Sequence, residues 1–468
     1  MSRPHDSGRK DEKASFSLSN SILSNKIVFI VSMIVVIALI ADASLARTSD
    51  LLSPILGRKS ATTLTIFTLI SIAYFVGQFM ILLFVRNRIK KIHTRANLQF
   101  YRTYKVTMAV QIALSIILLS VILQLVTMSY YFILALIATI TISYGLAIVM
   151  MALLMRSFLS WSRTSKNFVI LAYGISAATL AIHLGFTLFF AATALLGVPA
   201  EVRTPVSHTP FFMPGSVSSI LYNIHNLTSI LSFSILWGTT VLLLHPYSQK
   251  VGRLKYWIIV TLPIVYFLSQ FPTLFLNVFD PIIRENPILF GSLLTFIFTL
   301  SKPVGGILFG IAFWRISRDI PHTIIVRDYL MISALGFVLL FSSDQAIVLI
   351  NAAYPPFGVA AVSFFGLSSY LIFVGIYYSA ISLSHDSRVR REIKKFAVKE
   401  SKLLDSIGSA QLEKDIAEKI TAIKQMQNSD SQSLGLPLSI DEEGVKKYLE
   451  DVLHEKKKRA DKKEDKEY

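Results

Sequence analysis

The side chain best placed to do chemistry is Lys302. It stands in Ser301-Lys302-Pro303-Val304-Gly305-Gly306, near the middle of an apolar run at residues 288–314. An ammonium at bilayer depth is costly, and such groups mark solute paths, ion sites or paired structural charges. Pro303 removes a backbone donor and strains the preceding turn, and the two glycines loosen the helix further. A buried cation beside a helix break matches the way transporters hold solutes or ions, with freed backbone groups as ligands. The same residues have a structural reading. Gly306 and Gly310 form a small-xxx-small step that lets a neighbouring helix approach, with Lys302 paired or snorkelling.

Asp344 is the other deep charge, within Ser342-Ser343-Asp344-Gln345 of the next run, and sequence proximity makes it the natural partner. At about 1.5 Å per helical residue, Asp344 lies roughly 9 Å from the outer end of its run and Lys302 roughly 21 Å. A direct pair therefore requires a tilt, a shifted register or a water. Asp42, near the outer end of the first run, is a second candidate partner. His183 and His225, on adjacent runs, have the chemistry of axial haem ligands. Without any further ligand motif, His225, Asn223 and Asn226 read instead as interhelical hydrogen-bonding groups. Retinal also needs a membrane-buried lysine, but rhodopsins carry it in the seventh and last helix, which fits neither the run count nor Lys302. The expected solute- or ion-binding set is Lys302, Pro303, Asp344, Gln345, His225 and Asn223. No catalytic or metal set and no cofactor is expected. Gln78, Gln111, Gln124, Gln270 and Asn277 either line a polar path or join helices.

Enzyme signatures are missing: the chain has no GxxxxGK[ST], HExxH or GxSxG motif. With no cysteine, disulfides, thiolate metal sites, iron–sulfur clusters and cysteine nucleophiles are excluded.

The elements that must position these residues are ten apolar runs, at residues 27–46, 61–85, 106–127, 130–155, 168–197, 217–245, 256–277, 288–314, 327–350 and 357–384. Hydrophobic residues make up 53% of the chain and charged ones 16%, outside the soluble range. Runs of about 20 apolar residues satisfy their backbone in lipid only as helices. Strand-like alternation is absent, which argues against an outer-membrane barrel. The expected fold is an all-α, polytopic membrane bundle of about ten helices. Its parts are a basic leader at residues 1–26, a membrane domain at 27–384 and a short helical cytoplasmic tail at 385–468. The first run is the shortest, and Ala41-Asp42-Ala43 resembles a cleavage site, but the polar leader is long for a signal peptide. A retained first helix is the preferred reading.

The net charge of +17 is topological. Residues from His385 onward carry 19 basic against 18 acidic side chains, so the excess lies among the apolar runs. There, 21 of the basic residues fall in the leader and the even-numbered gaps and 5 in the odd ones. The positive-inside rule then places both termini in the cytoplasm of a multi-pass cell-membrane protein, and no nucleic-acid partner is implied. Trp161, Trp257 and Trp314 fall at inner boundaries and Tyr130, Tyr131 and Tyr354 at outer ones, as interfacial anchors should. Ile89, Ile92, Ala96 and Tyr104 give the second gap an amphipathic cast, read as an inner loop that snorkels basic side chains toward anionic headgroups, ahead of a lipid-sensing surface helix. The segment at residues 197–215, rich in proline and aromatics, suits a cap over an outer vestibule.

In the tail, residues 385–402 continue the tenth helix, and Ile416, Ile420, Ile423 and Met426 form an apolar stripe. Residues 428–437 read as a linker, and Ser439 with Glu442 as the capping box of a second helix. Such helices fold onto the membrane domain, self-associate or dock a cytoplasmic protein. Gly375-Ile376-Tyr377-Tyr378-Ser379-Ala380-Ile381-Ser382, then His385-Asp386-Ser387-Arg388-Val389-Arg390 and Glu400-Ser401-Lys402-Leu403-Leu404-Asp405-Ser406-Ile407-Gly408, resemble uncharacterised multi-spanning membrane proteins of ammonia-oxidising archaea. The resemblance covers the last helix and the start of the tail, and implies an archaeal cell membrane but no activity. The leading expectation is a transporter or channel for a small solute or ion, with its site at a broken eighth helix. The alternative is a sensor or scaffold signalling through the tail, ahead of a membrane enzyme or redox carrier.

Overall fold

The computed structural model describes residues 27–28, 30–47, 61–89, 97–165, 167–204, 217–271, 285, 287–318, 320, 325–350, 353–385 and 402–434. The helices are α1 (Ile30–Arg47), α2 (Ala61–Ile89), α3 (Asn97–Met128), α4 (Ile133–Ser165), α5 (Phe168–Leu196), α6 (Val217–Leu244), the short α7 (Ser248–Val251), α8 (Arg253–Leu268), α9 (Pro287–Arg318), α10 (Ile325–Ser343), α11 (Ala346–Ile350), α12 (Val359–His385) and α13 (Lys402–Leu434). Among the described residues, eight helices are long and apolar enough to cross a membrane, which makes this a multi-pass helical membrane protein. The seventh run is represented by α8, which has 16 residues, and the eighth by α9, which has 32. The chain divides into two compact units, Met1–Leu412 and Glu413–Tyr468.

Lipid-facing surfaces identify themselves. On α2, Leu69, Ile72, Val76, Phe79 and Leu83 are exposed at helical spacing, and Ile112, Ile116, Leu119, Leu123 and Val126 repeat the pattern on α3. Apolar stripes of this length in water would drive aggregation; in a bilayer they are the solvated face. At the centre stands α12, whose apolar span is buried throughout, whereas that of α3 is only 28% buried. Its serines tolerate this because each bonds back to its own helix: Ser363 to Val359 O, Ser368 to Phe364 O and Ser379 to Gly375 O. The helix α12 packs on α10 and α4, α10 on α9, and α4 on α5, which in turn carries α6.

Small residues set the closest approaches. A Cβ on Gly306 would lie 2.7 Å from Phe341 Cβ, and one on Gly310 would lie 2.8 Å from Ala334 O. The Gly306–Gly310 step is thus the seam at which α9 meets α10, as its spacing implies. On the opposite side of α10, Gly375 of α12 sits against Tyr329 O and Ser333 N.

Asp42 does not reach Lys302. Its Oδ2 accepts a hydrogen bond of 2.9 Å from Ala361 N and so caps the first turn of α12 from another helix. The carboxylate complements the positive helix end, which accounts for a fully buried acid on an apolar run. Asp42→Ala should lower stability by about 1–2 kcal/mol, and Asp42→Asn, which keeps an acceptor, by less. Thermal unfolding of the purified protein in detergent measures both.

Two expectations about aromatics need correction. Trp257 and Trp314 are exposed as interfacial anchors should be, but Trp161 is 1% exposed. Its Nε1 donates to Gln411 Oε1 at 2.7 Å and its ring stacks on Tyr377, because α4 turns this face toward α12 and α13 rather than lipid. Tyr131 and Tyr354 are likewise buried: their rings stack on one another and the Tyr131 hydroxyl donates to Ala353 O at 2.9 Å. Tyr131–Phe132 (β1) also pairs antiparallel with Glu201–Val202 (β2), tying the turn before α4 to the segment after α5.

The helix α13 starts within the first unit. Leu403, Leu404, Ile407 and Ala410 are buried, Asn167 Nδ2 donates to Ser406 Oγ at 3.0 Å, and Gly408 lies against Leu383. In the second unit it runs on to Leu434, so residues 428–434 are helix where a linker was expected. The continuation of α12 through residues 386–401, the helix expected from Ser439 and residues 90–96 of the second gap lie outside the described residues, while Tyr104 of that gap is buried in α3 rather than set on a membrane surface.

Candidate functional site

The helix break lies in the ninth apolar run, not the eighth. Through Pro303 the helix α9 is continuous, and Pro303 is buried within it. A proline removes only its own N–H, and packing on both sides holds the turn: Gly305 abuts the Phe233 ring and Gly306 abuts Phe341. By contrast, α10 ends at Ser343, Asp344 and Gln345 are non-helical, and α11 resumes at Ala346. Ser343 Oγ bonds back to Leu339 O at 2.6 Å and Leu340 O at 3.1 Å, competing for carbonyls that the helix would use. Gln345 N then donates to Ser343 O at 2.8 Å, a turn too tight for an α-helix.

Tyr144 of α4 repairs the break. Its hydroxyl accepts from Ala346 N at 3.3 Å and donates to Asp344 Oδ1 at 2.8 Å. The Tyr144 ring is held by stacking on Phe365 of α12, with centroids 4.4 Å apart. The other carboxylate oxygen, Oδ2, takes Lys302 Nζ at 2.6 Å, with Asp344 O at 3.4 Å as a weaker second acceptor. Lys302 and Asp344 therefore pair directly, and the shifted register that their spacing along the runs called for is present: Gly306 meets Phe341 and Gly310 meets Ala334, which brings Lys302 level with Asp344. The unwound turn frees the Asp344 carboxylate from a helical register, and the lysine stem covers the remaining distance.

Beside this pair is a cavity of about 40 Å³, lined by Arg47, Thr187, His225, Asn226, Gln270, Lys302, Asp344 and Gln345 among others. Arg47, the last residue of α1, donates from Nη2 to Gln345 Oε1 at 3.2 Å. Gln270 Oε1 accepts from Ser301 Oγ at 3.3 Å, while its Nε2 is buried with no partner among the described residues. The wall formed by α5 and α6 is stitched by His183 Nδ1 to Thr228 Oγ1 at 3.1 Å and Thr187 Oγ1 to His225 Nδ1 at 3.0 Å. His225 thus makes the interhelical bond expected of it, and His183 makes one that was not expected. Their rings lie 5.0 Å apart, facing one another across the α5–α6 contact rather than flanking a space for a macrocycle.

Of the expected binding set, Lys302, Asp344, Gln345 and His225 meet at this cavity. Pro303 lies buried one residue beyond it, and Asn223 is exposed on another face of α6. Two residues of helix separate Asn223 from His225 by about 200°, whereas Asn226 is adjacent and lines the cavity. Gln78 and Gln111 join helices, through Ser115 and through Tyr74 and Ser363 O, and Gln124 Oε1 accepts from Phe132 N. Asn277 and the segment at residues 205–215 lie outside the described residues. Two functional residues were hidden in the sequence: Arg47, which counts as one more loop charge, and Tyr144, a lone tyrosine in the fourth run. No family model, curated protein or solved structure matches the chain.

Proposed function

We propose that the chain is a transporter or channel that carries a small solute or ion across a cell membrane, with the cavity at the Asp344–Gln345 break as its site. In this reading it spans the membrane ten times, with α8 and α9 belonging to the seventh and eighth passes and both termini in the cytoplasm. The resemblance of its last helix and early tail points to an archaeal membrane. The observation that carries the proposal is the coincidence of a cavity, an unwound turn and three charged side chains inside the helical bundle. Thr187 and Asn226 both lie nine residues from the adjoining ends of α5 and α6, which puts the cavity about 14 Å below the outer boundary. Unwound backbone and charge at that depth are tolerated where they line a solute site. The test is uptake by proteoliposomes holding the full chain, assayed with a panel of small anions, cations and neutral solutes. The paired variant Lys302→Met with Asp344→Asn, which removes both charges together, should cut uptake at least tenfold. Unchanged flux in that variant would refute the site.

A second reading, a sensor that signals through its tail, draws support from the anchoring of α13 by Gln411 and Ser406. Ending the chain after Leu412 separates the two: a transporter keeps its flux, whereas a sensor loses its cytoplasmic output.

A further inference from the structure

We infer that the cavity takes a small monovalent anion, an inference that rests on the solute-site reading above and names its substrate class. Charge is the first argument. Arg47 and Lys302 share one carboxylate, Asp344, and that carboxylate is committed to Lys302. Among the described residues the Arg47 guanidinium bonds only a neutral amide oxygen, Gln345 Oε1. The lining thus carries one excess positive charge in a medium where an unpaired charge is costly, and one negative charge neutralises it.

Hydrogen-bonding capacity is the second argument, and it is independent of the first. The carboxylate and the two glutamine oxygens around the cavity are already engaged, while Asn226 brings both an amide oxygen and an amide N–H pair. Asp344 Oδ1 takes the Tyr144 hydroxyl and Oδ2 takes Lys302; Gln345 Oε1 takes Arg47; Gln270 Oε1 takes Ser301. The balance of free capacity is donor capacity. Gln270 Nε2 is buried without a partner among the described residues, and a guanidinium carries five N–H groups, of which one is used toward Gln345. A metal cation needs about six oxygen ligands, and this lining leaves few of its oxygens unengaged and sets them beside the positive Arg47 and Lys302. An anion needs convergent N–H donors, which the lining offers.

Volume sets the size. About 40 Å³ accommodates roughly three waters, and therefore an anion of about one to four heavy atoms, such as a halide, formate or nitrate.

The test uses the full-length protein in neutral detergent, with sodium chloride, nitrate and formate as probes against sodium gluconate at equal ionic strength. At least one small anion should raise the thermal midpoint saturably over gluconate, and exchanging sodium for potassium should leave the midpoint unchanged. Arg47→Gln should weaken that response at least tenfold, while Arg47→Lys keeps most of it. Gln270→Glu, which replaces a donor with a negative acceptor, should abolish it, and serves alone if Arg47→Gln fails to fold. A midpoint that follows ionic strength or cation identity overturns the inference, as does an undiminished response in Gln270→Glu. The same salts in proteoliposomes separate the two claims. Anion-dependent stability without flux of any solute upholds the anion site and removes transport. Flux of cations or neutral solutes with no anion response upholds transport and removes the anion site.

Discussion

Lys302→Met and Asp344→Asn should each destabilise the protein by roughly 3–5 kcal/mol, and the two together should recover most of that loss. The partners are 2.6 Å apart with side chains 15% and 7% exposed, so removing one strands the other in a low-dielectric interior. Removing both leaves a neutral amide beside a thioether of similar bulk. Tyr144 can still donate to the amide oxygen at position 344, so the repair of the helix break survives in Asp344→Asn. The exposed pair Arg203–Glu201, 2.7 Å apart with side chains 66% and 41% exposed, is the control, and its loss should leave stability almost unchanged. Denaturant unfolding in detergent, run as a double-mutant cycle, reads the coupling directly. A double variant no more stable than the singles would mean that the charges are not each other's main support. This cycle also sets how transport variants must be read: a single charge removal alters stability and solute site together, and only the neutral pair isolates the site.

The two deep charges were legible in the sequence because ionisable residues inside apolar runs have few reasons to exist. The glycine step of α9 was legible too, since its four-residue spacing fixes one face. The location of the break was not. Pro303 and two glycines advertise a weak helix, yet packing by Phe233 and Phe341 fills the gap and α9 runs through. Ser342-Ser343-Asp344-Gln345 contains no glycine or proline, and its break depends on a partner 200 residues away, the Tyr144 hydroxyl. Arg47 was hidden for a related reason. Counting basic residues by gap assigns each to topology, and nothing local distinguishes a terminal arginine that turns into the bundle from one that faces water. Asn223 and Asn226 are three residues apart, and choosing between them requires the rotation of α6, which the chain's nearly uniform hydrophobicity does not encode.

Gly375→Ala should cost more than any other glycine-to-alanine change among the described residues, about 1–3 kcal/mol, and Gly375→Val should prevent accumulation of folded protein. An added Cβ would lie 2.6 Å from Tyr329 O and 2.7 Å from Ser333 N, both backbone atoms of α10, and would overlap the Ser333 hydroxyl as well. No rotamer change relieves a clash with backbone, so α10 must move away from α12. It has nowhere to go, because its far side is held by Gly306 and Gly310 of α9 at similarly short distances. Gly185 provides the contrast: a Cβ there meets nothing within 4 Å, and Gly185→Ala should be neutral or stabilising by up to about 1 kcal/mol. Thermal midpoints and the monodisperse yield in detergent compare the variants. If Gly375→Ala behaves like Gly185→Ala, the seam is not the constraint proposed. The seam matters beyond stability because α10 carries Asp344 at its end. Two tight contacts, one on each side of α10, fix the height and rotation at which the helix stops. They therefore fix whether the Asp344 carboxylate meets Lys302 and Tyr144 or swings away from both. Gly306→Val, which pushes α9 and α10 apart from the opposite side, should accordingly impair the site even in whatever fraction of the protein folds.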